Sequence, residues 1–252
     1  MIEVRNVTKR YGEKAVVDNV SLTVRKGEIT SLIGPNGAGK STLLSMMSRL
    51  LKRDDGEITV DGQEVLAVKS DELAKKLAIL RQENHISVRL TVRDLVSFGR
   101  FPYSRGRLTR EDWKHVDRAI AYMELEPYTQ RFLDQLSGGQ RQRAYVAMTL
   151  CQDTDYILLD EPLNNLDMKH SVQIMGVLRR LVEELDKTIV LVLHDINFAS
   201  CYSDRIIALK DGKLVRAGLT DEIIRTDTLA EIYDLTIPIE EIRGNRIGIY
   251  FR

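Results

Sequence analysis

The residues best suited to chemistry lie in a glycine-rich segment directly after an apolar run. Residues 31–42 read Ser-Leu-Ile-Gly-Pro-Asn-Gly-Ala-Gly-Lys-Ser-Thr. The spacing of Gly34, Gly39, Lys40 and Ser41 matches a loop that cradles phosphate groups. Glycines let backbone amides approach a polyphosphate, and a helix beginning near Gly39 would turn its free N–H groups and its dipole toward that anion. An ordinary glycine-rich turn before a helix is the alternative.

Two side chains of this loop have specific predicted roles. Lys40 is expected to lie between the β- and γ-phosphates, and the Ser41 hydroxyl is expected to complete a Mg²⁺ shell. The sequence therefore predicts a binding site for a nucleoside triphosphate. The residues predicted to surround the phosphates are Gly34, Pro35, Asn36, Gly37, Ala38, Gly39, Lys40, Ser41 and Thr42.

A second set of chemistry-bearing residues is a pair of acids after another apolar run. Tyr156–Leu159 predicts a buried strand that delivers Asp160 and Glu161 at its carboxyl end, where α/β sheets place their ligands. Asp160 can hold Mg²⁺ through water, and Glu161 can orient and deprotonate an attacking water. Two solvated acids at a strand end are the alternative, and the presence of the phosphate loop disfavours it.

Length and composition limit the domain organisation that can carry these residues. The chain has 252 residues, 43% hydrophobic and 29% charged, with a formal net charge of zero. One domain with an inserted subdomain suits this length, and zero net charge argues against a nucleic-acid partner. The first residues show no secretory signal, and the longest apolar run, Ile189–Leu193, is far shorter than the ~20 residues that span a bilayer.

The order of the predicted elements indicates an α/β fold. Short β elements over residues 2–33 precede the loop, and strands alternate with helices after it. Between Thr91 and Cys151 the pattern is mostly helical, with two N-cap signals, Thr91…Asp94 and Thr109…Asp112. A last hairpin is predicted over Ile237–Phe251, turning at Gly244–Asn245.

A third motif lies inside the helical region. Leu136–Gln140 reads Leu-Ser-Gly-Gly-Gln, in which Ser137 is a good N-cap and two glycines expose amides before a helix. This pentapeptide resembles the signature of the ATP-binding cassette (ABC) family, and the chain is similar to that family from end to end. The anion-contacting residues that this resemblance implies are Ser137, Gly138, Gly139 and Gln140.

The resemblance implies an architecture. The chain would be a single ABC ATPase domain over residues 1–252, with a P-loop NTPase core, a mainly parallel sheet and an antiparallel β subdomain. The core would comprise about residues 1–85 and 152–252, and a helical subdomain would be inserted at about 86–151.

The resemblance also implies roles for four further residues. Tyr11 would stack on adenine, Gln82 would join the Mg²⁺ shell, Asp167 would lie in a loop crossing a dimer interface, and His194 would contact the γ-phosphate. With Lys40 and Glu161, Gln82 and His194 form the implied catalytic set. The histidines without such a context, expected to be structural or at the surface, are His85, His115 and His170.

Two segments depart from the family pattern. Asn164–Asn165 stands where a serine–alanine pair is commoner, and Ile79–Arg81 precedes Gln82 in place of the frequent valine–proline. Neither departure removes a catalytic group.

The resemblance further implies partners. In the family, the signature of one subunit faces the phosphate loop of another, so two copies would enclose two ATP molecules with Mg²⁺. A single cassette without membrane spans looks like the motor of a bacterial importer, at the cytoplasmic face of the membrane and bound to permease subunits, with an extracytoplasmic substrate-binding protein as an indirect partner. Phe98–Tyr103 would receive a permease helix, or would simply pack the subdomain.

Three segments narrow the resemblance to iron–siderophore importer ATPases, including those serving catecholate siderophores such as petrobactin. They are residues 94–103, 162–170 and 193–199. Import of heme, cobalamin or another metal chelate remains an alternative, as does a soluble ABC ATPase with no transport role.

Overall fold

A computed structural model describes residues 1–82 and 88–250. Its strands are β1 (Ile2–Tyr11), β2 (Lys14–Val24), β3 (Ile29–Ile33), β4 (Asp55–Val60), β5 (Gln63–Glu64), β6 (Leu77–Leu80), β7 (Tyr156–Asp160), β8 (Thr188–Val192), β9 (Arg205–Lys210), β10 (Lys213–Leu219), β11 (Ile239–Ile242) and β12 (Asn245–Gly248). Its α-helices are α1 (Lys40–Met47), α2 (Ser70–Lys76), α3 (Val92–Ser97), α4 (Phe101–Ser104), α5 (Arg110–Tyr122), α6 (Gly138–Cys151), α7 (Met168–Leu185), α8 (Ile196–Tyr202), α9 (Thr220–Ile223) and α10 (Thr226–Tyr233).

The chain forms two compact units. The discontinuous unit comprises Met1–Val68 and Thr188–Arg252, and the central unit comprises Lys69–Lys187. The predicted limits of the inserted helical subdomain, 86–151, remain a proposal, and the predicted boundary at residue 85 lies outside the described residues, as does His85. No helix within residues 1–82 and 88–250 combines the length and the apolar character needed to cross a membrane.

The discontinuous unit contains an antiparallel sheet of order β2-β1-β4-β5. Ile2 lies opposite Val24 on one side and Val60 on the other, and all three side chains are buried. The prediction of short elements before the phosphate loop was wrong in length, since β1 and β2 have 10 and 11 residues. β1 pairs with a strand on each of its edges. This pairing extends the strand through positions that lack a clear alternation of apolar and polar residues.

A second, mostly parallel sheet of the same unit positions the phosphate loop. Its strands follow the order β10-β9-β3-β8, with β3 parallel to both β8 and β9. Every residue of β3 and β8 is buried, as expected of strands covered on both faces. An Asp211–Gly212 turn joins β9 to β10, and both residues have positive φ.

The last hairpin turns one residue earlier than predicted. Ile242 pairs with Asn245, so the turn is Arg243–Gly244, with φ of 52° and 79°. This turn requires two residues with positive φ, and pairing fixes which two they are. Asn197 on α8 holds the hairpin through both backbone groups of Gly248, at 2.8 Å and 3.2 Å. Phe251, the predicted end of the hairpin, lies outside the described residues.

In the central unit, β6 and β7 pair in parallel, and α3, α5 and α6 pack against one another. The two predicted caps are confirmed, because Thr91 with Asp94 and Thr109 with Asp112 each form a reciprocal capping box. Asp112 also accepts a buried hydrogen bond from Arg100 at 2.9 Å. Parallel strands, an antiparallel sheet and a helical region together confirm the predicted α/β class.

Candidate active site

The phosphate loop begins at a glycine that no other residue could replace in this backbone. Gly34 follows the buried strand β3 with a φ of 139°. A Cβ at this position would lie 1.9 Å from the carbonyl oxygen of Leu209, at the end of β9. The close approach of two backbones therefore fixes where the loop leaves the sheet.

The loop ends at a second glycine of the same kind. Gly39 is the N-cap of α1, with a φ of 95°, and a Cβ there would lie 2.5 Å from the carbonyl oxygen of Val16. The N–H groups of the first turn of α1 have no partner within the helix. The loop therefore presents a helix N-terminus to any anion that enters it, which fits the phosphate groups of ATP.

Lys40 is folded into its own loop. Its side chain is buried, at 5% exposure, and Nζ donates to the carbonyl oxygens of Gly34 at 2.8 Å and Pro35 at 2.9 Å. These carbonyls hold an ammonium charge where the sequence predicts phosphate contact. A bound polyphosphate would offer stronger, charged acceptors to the same group.

Two other predicted contacts lie in the discontinuous unit. Tyr11 ends β1 and is 55% exposed, with Lys9 Nζ 5.7 Å from its ring centre. His194 is exposed and follows β8 by two residues, just before Asp195, which caps α8. An exposed ring and an exposed imidazole are both available to a ligand, and their roles remain predictions.

The predicted acids end β7 in the central unit, as the sequence indicated. Asp160 is buried, and Glu161 adopts a left-handed φ of 51°. Because Leu80 on β6 lies opposite Leu159 on β7, Gln82 comes level with Glu161. Gln82 Nε2 donates to Glu161 Oε2 at 2.8 Å.

Glu161 has a second partner that sequence reasoning missed. Asn164 Nδ2 donates to the same oxygen, Glu161 Oε2, and the Asn164 backbone N–H donates to the Glu161 carbonyl at 3.2 Å. The proposed base is thus held by amide groups from two segments, one of them a departure from the family pattern. The signal available in the sequence was the spacing of three residues between Glu161 and Asn164. This spacing suits a tight turn that brings the Asn164 side chain back to Glu161.

The signature segment forms a capped helix start. Ser137 Oγ accepts from the Gln140 N–H at 3.2 Å, and Gln140 Oε1 accepts from the Ser137 N–H at 3.1 Å. Gly138 is exposed, and a Cβ there would meet nothing closer than 3.9 Å, at Asn165. The first turn of α6 is therefore rigid, and its outer side is open within this unit.

Asp167 caps the next helix. Its Oδ1 accepts from the His170 N–H at 2.9 Å and lies 2.8 Å from His170 Nδ1. The backbone hydrogen bond that Asp167 accepts from His170 lowers the pKa of Asp167. This contact ties His170 to the cap of α7, and its structural role stays a prediction. His115, 3.7 Å from Asp153, is part of a partly buried cluster, and burial lowers its pKa.

A further residue at the loop was absent from the sequence analysis. Tyr233, the last residue of α10, accepts a hydrogen bond from the Gly34 N–H at 3.2 Å. Burial raises the pKa of Tyr233 to about 12. The two residues are 199 positions apart, so no local pattern could have joined them.

The described residues thus form two groups with complementary chemistry. In the discontinuous unit, Lys40 and Tyr233 converge on Gly34. In the central unit, Gln82 and Asn164 converge on Glu161. The first group can bind a polyphosphate, and the second can orient a water and accept its proton.

Comparison with known proteins agrees with this chemistry. Residues 17–164 match the model of the family described as ABC transporter. The chain is 66% identical over 251 residues to the petrobactin import ATP-binding protein YclP of Bacillus subtilis, covering 100% of both chains. It is 52% identical to the petrobactin import ATP-binding protein FatE of Bacillus anthracis, covering 99% of this chain and 100% of that one.

A solved structure is similar over most of the fold. A dimeric bacterial ABC transporter cassette, MJ0796, is 38% identical with a TM-score of 0.80, covering 87% of this chain and 99% of that one. The family model, the relatives and the cassette all belong to ATP-binding proteins of one family. The chain therefore belongs to the ABC transporter family and is one of its ATP-hydrolysing cassettes.

Proposed function

We propose that this ATPase powers import of an iron–siderophore complex through separate membrane-spanning subunits. The observation that carries the proposal is full-length similarity to ATP-binding proteins named for petrobactin import, at 66% and 52% identity. A ferric enterobactin transport ATP-binding protein of Escherichia coli, 38% identical, supports the broader siderophore class. The cassette does not itself touch the transported complex, so its own residues carry the ATP chemistry alone.

In the proposed reaction, each predicted site residue has its own role toward ATP. Lys40 leaves the carbonyls of its loop and binds the β- and γ-phosphates, and Tyr11 stacks on adenine. Glu161 orients a water and takes its proton, while Gln82 and Asn164 hold that carboxylate in place. His194 contacts the γ-phosphate in this proposal.

The donor set suits Mg²⁺. Ser41 offers a hydroxyl and Asp160 a carboxylate. Gln82 offers its amide oxygen, because its Nε2 donates to Glu161. All three are hard oxygen ligands, which Mg²⁺ prefers. Bound Mg²⁺ would neutralise charge on the phosphate oxygens, and these residues would hold it directly or through water.

A second copy of the chain is part of the proposal. The exposed residues of the signature and of the following loop, Gly138 and Asp167, would meet ATP bound to the partner copy. The dimeric state of the MJ0796 cassette supports this arrangement. Each chain would then contribute two half-sites, and two ATP molecules would be enclosed.

A permease would bind an aromatic surface of the central unit. Phe98, Phe101 and Tyr103 are 49%, 60% and 40% exposed. Arg100 lies 4.0 Å from the Tyr103 ring centre, and Lys75 lies 5.6 Å from it. Exposed aromatic side chains are enriched at protein interfaces. The protein would thus be held at the cytoplasmic face of the membrane.

Growth on single iron sources tests the transport role. Deletion of the gene from its host should abolish growth on one ferric siderophore as the sole iron source and leave growth on free iron salts intact. The wild-type gene should restore growth, and the matched Glu161→Gln gene should not.

Two outcomes would contradict the proposal. Normal uptake of every ferric chelate by the deletion strain would remove the iron assignment, and loss of heme or cobalamin uptake instead would favour that alternative.

Co-purification tests the permease surface. Phe101→Ala should weaken capture of a polytopic membrane protein, whereas Tyr250→Ala, which changes an aromatic of similar exposure in the other unit, should not.

A further inference from the structure

One side chain outside the family match holds the first peptide of the phosphate loop. The Tyr233 hydroxyl accepts from the Gly34 N–H at 3.2 Å. The family model ends at residue 164, so Tyr233 belongs to the segment that follows it. Among the described residues, this is the one side-chain contact seen on the Gly34 N–H.

The helix that carries Tyr233 is itself fastened to the strand beside the loop. Lys210 Nζ donates to the Glu231 carbonyl at 2.9 Å and to Asp234 Oδ1 at 2.7 Å, at the carboxyl end of α10. A cation at this end of a helix is favourable. Lys210 directly follows Leu209, whose carbonyl closes on Gly34. The position of Tyr233 is therefore set by the same strand end that sets Gly34.

The N–H and the carbonyl of Gly34 bond to different side chains. Tyr233 takes its N–H, and Lys40 donates to its carbonyl. Binding of ATP requires Lys40 to turn toward the phosphates, which breaks its hydrogen bond to the Gly34 carbonyl. The Tyr233 hydroxyl bonds the N–H of Gly34, whereas Lys40 bonds its carbonyl, so the tyrosine can keep its bond in both states.

We propose that Tyr233 is a positioning residue for ATP binding, which keeps the first peptide of the phosphate loop in its binding conformation after Lys40 has left it. This inference rests on the proposed ATP chemistry. A tyrosine hydroxyl is neutral at physiological pH, and burial raises its pKa further, so Tyr233 acts as an uncharged acceptor. Tyr233 touches the loop and not the reacting atoms.

Tyr233→Phe tests the inference, because it removes one oxygen and keeps the ring. The Kd for ATP should rise about two- to tenfold, the range of one net hydrogen bond. The Kd for inorganic tripolyphosphate, measured by competition, should rise by the same factor, since the hold acts on the phosphate loop. KM should rise with kcat at saturating ATP almost unchanged.

Two matched variants sharpen the result. Tyr202→Phe removes the hydroxyl of a half-buried tyrosine on α8 that stacks on Phe198, and it should change neither Kd. Tyr11→Ala should weaken ATP but not tripolyphosphate. Thermal unfolding without nucleotide should show that Tyr233→Phe folds as the wild type does.

The outcomes separate this inference from the proposed function. If Tyr233→Phe binds tripolyphosphate as tightly as the wild type, the positioning role is wrong while the ATPase stands. The same conclusion follows if kcat falls and both Kd values hold. If the wild type binds neither ATP nor tripolyphosphate, the proposed ATP chemistry itself is contradicted.

Discussion

The phosphate loop and the signature segment, both predicted to bind anions, are built in opposite ways. The loop is closed on itself: Lys40 is 5% exposed, and Gly34 and Gly39 are wedged against the carbonyls of other strands. The signature segment is open: Gly138 is exposed, and Met168, the first residue of α7, is 69% exposed. One region is completed by its own chain, and the other presents its helix start outward.

This difference assigns different tasks to the two regions. Contacts within one unit fix the phosphate loop before any ligand arrives, so it can bind ATP in an isolated chain. The capping box of Ser137 and Gln140 makes the start of α6 rigid, and Gly138 at that start is exposed. A rigid, uncovered helix start suits an anion held by another molecule. The predictions below separate binding in one chain from completion by a second.

Glu161→Gln should give the largest effect. Gln82 and Asn164 hold the carboxylate, and the amide keeps its size but cannot accept a proton. Turnover should fall about 10²- to 10⁴-fold, the usual worth of general base catalysis, with ATP affinity preserved. Steady-state phosphate release and equilibrium ATP binding check this. Hydrolysis near the wild-type rate would show that another group is the base.

Lys40→Ala should weaken ATP binding itself. Removal of the ammonium deletes charge-assisted hydrogen bonds to the phosphates, which corresponds to about a 10- to 100-fold rise in the Kd of the isolated chain. Titration with a fluorescent ATP analogue measures it. Lys52→Ala, outside the loop on the same unit, serves as the control. An unchanged Kd would mean that Lys40 stays on its own carbonyls when ATP is bound.

Gly138→Leu should separate binding from turnover. The site has space for a larger side chain within the unit, because a Cβ would meet nothing nearer than 3.9 Å. The isolated chain should therefore fold and bind ATP normally, while turnover falls at least about tenfold through overpacking against the partner. If the Gly138→Leu monomer lost ATP binding, the proposal that the signature contacts ATP on a second copy would be wrong.

Tyr11→Ala should have the smallest effect. The ring is 55% exposed, so its stacking on adenine is worth about 0.5–1.5 kcal/mol, or a two- to tenfold rise in Kd. Tyr11→Phe and Tyr11→Trp should bind as tightly as the wild type. Equal affinities of the alanine and phenylalanine variants in calorimetric titration would exclude stacking.

The parts of the molecule that the sequence predicted are those fixed by neighbours in the chain. Both capping boxes depend on residues three apart, and the strand ending at Asp160 depends on an unbroken apolar run. A local pattern suffices for such features, since the hydrogen bonds or the burial follow from spacing alone.

The parts that could not be predicted depend on pairing across the chain. The extension of β1 and β2, and the exact turn at Arg243–Gly244, follow from register with partner strands. The bond between Gly34 and Tyr233 joins residues 199 positions apart. Hydrophobic periodicity predicts which face of a helix or strand a residue occupies. It does not predict which distant side chain contacts that residue.

The mass of the Glu161→Gln protein in saturating ATP and Mg²⁺ tests the central claim most directly. Analytical ultracentrifugation with nucleotide counting should show two chains holding two ATP molecules. The matched Glu161→Gln, Gly138→Leu double variant should remain a single chain holding one. If Glu161→Gln binds one ATP per chain at saturation and stays monomeric, the signature segment does not complete the site of a second copy, and the account is contradicted.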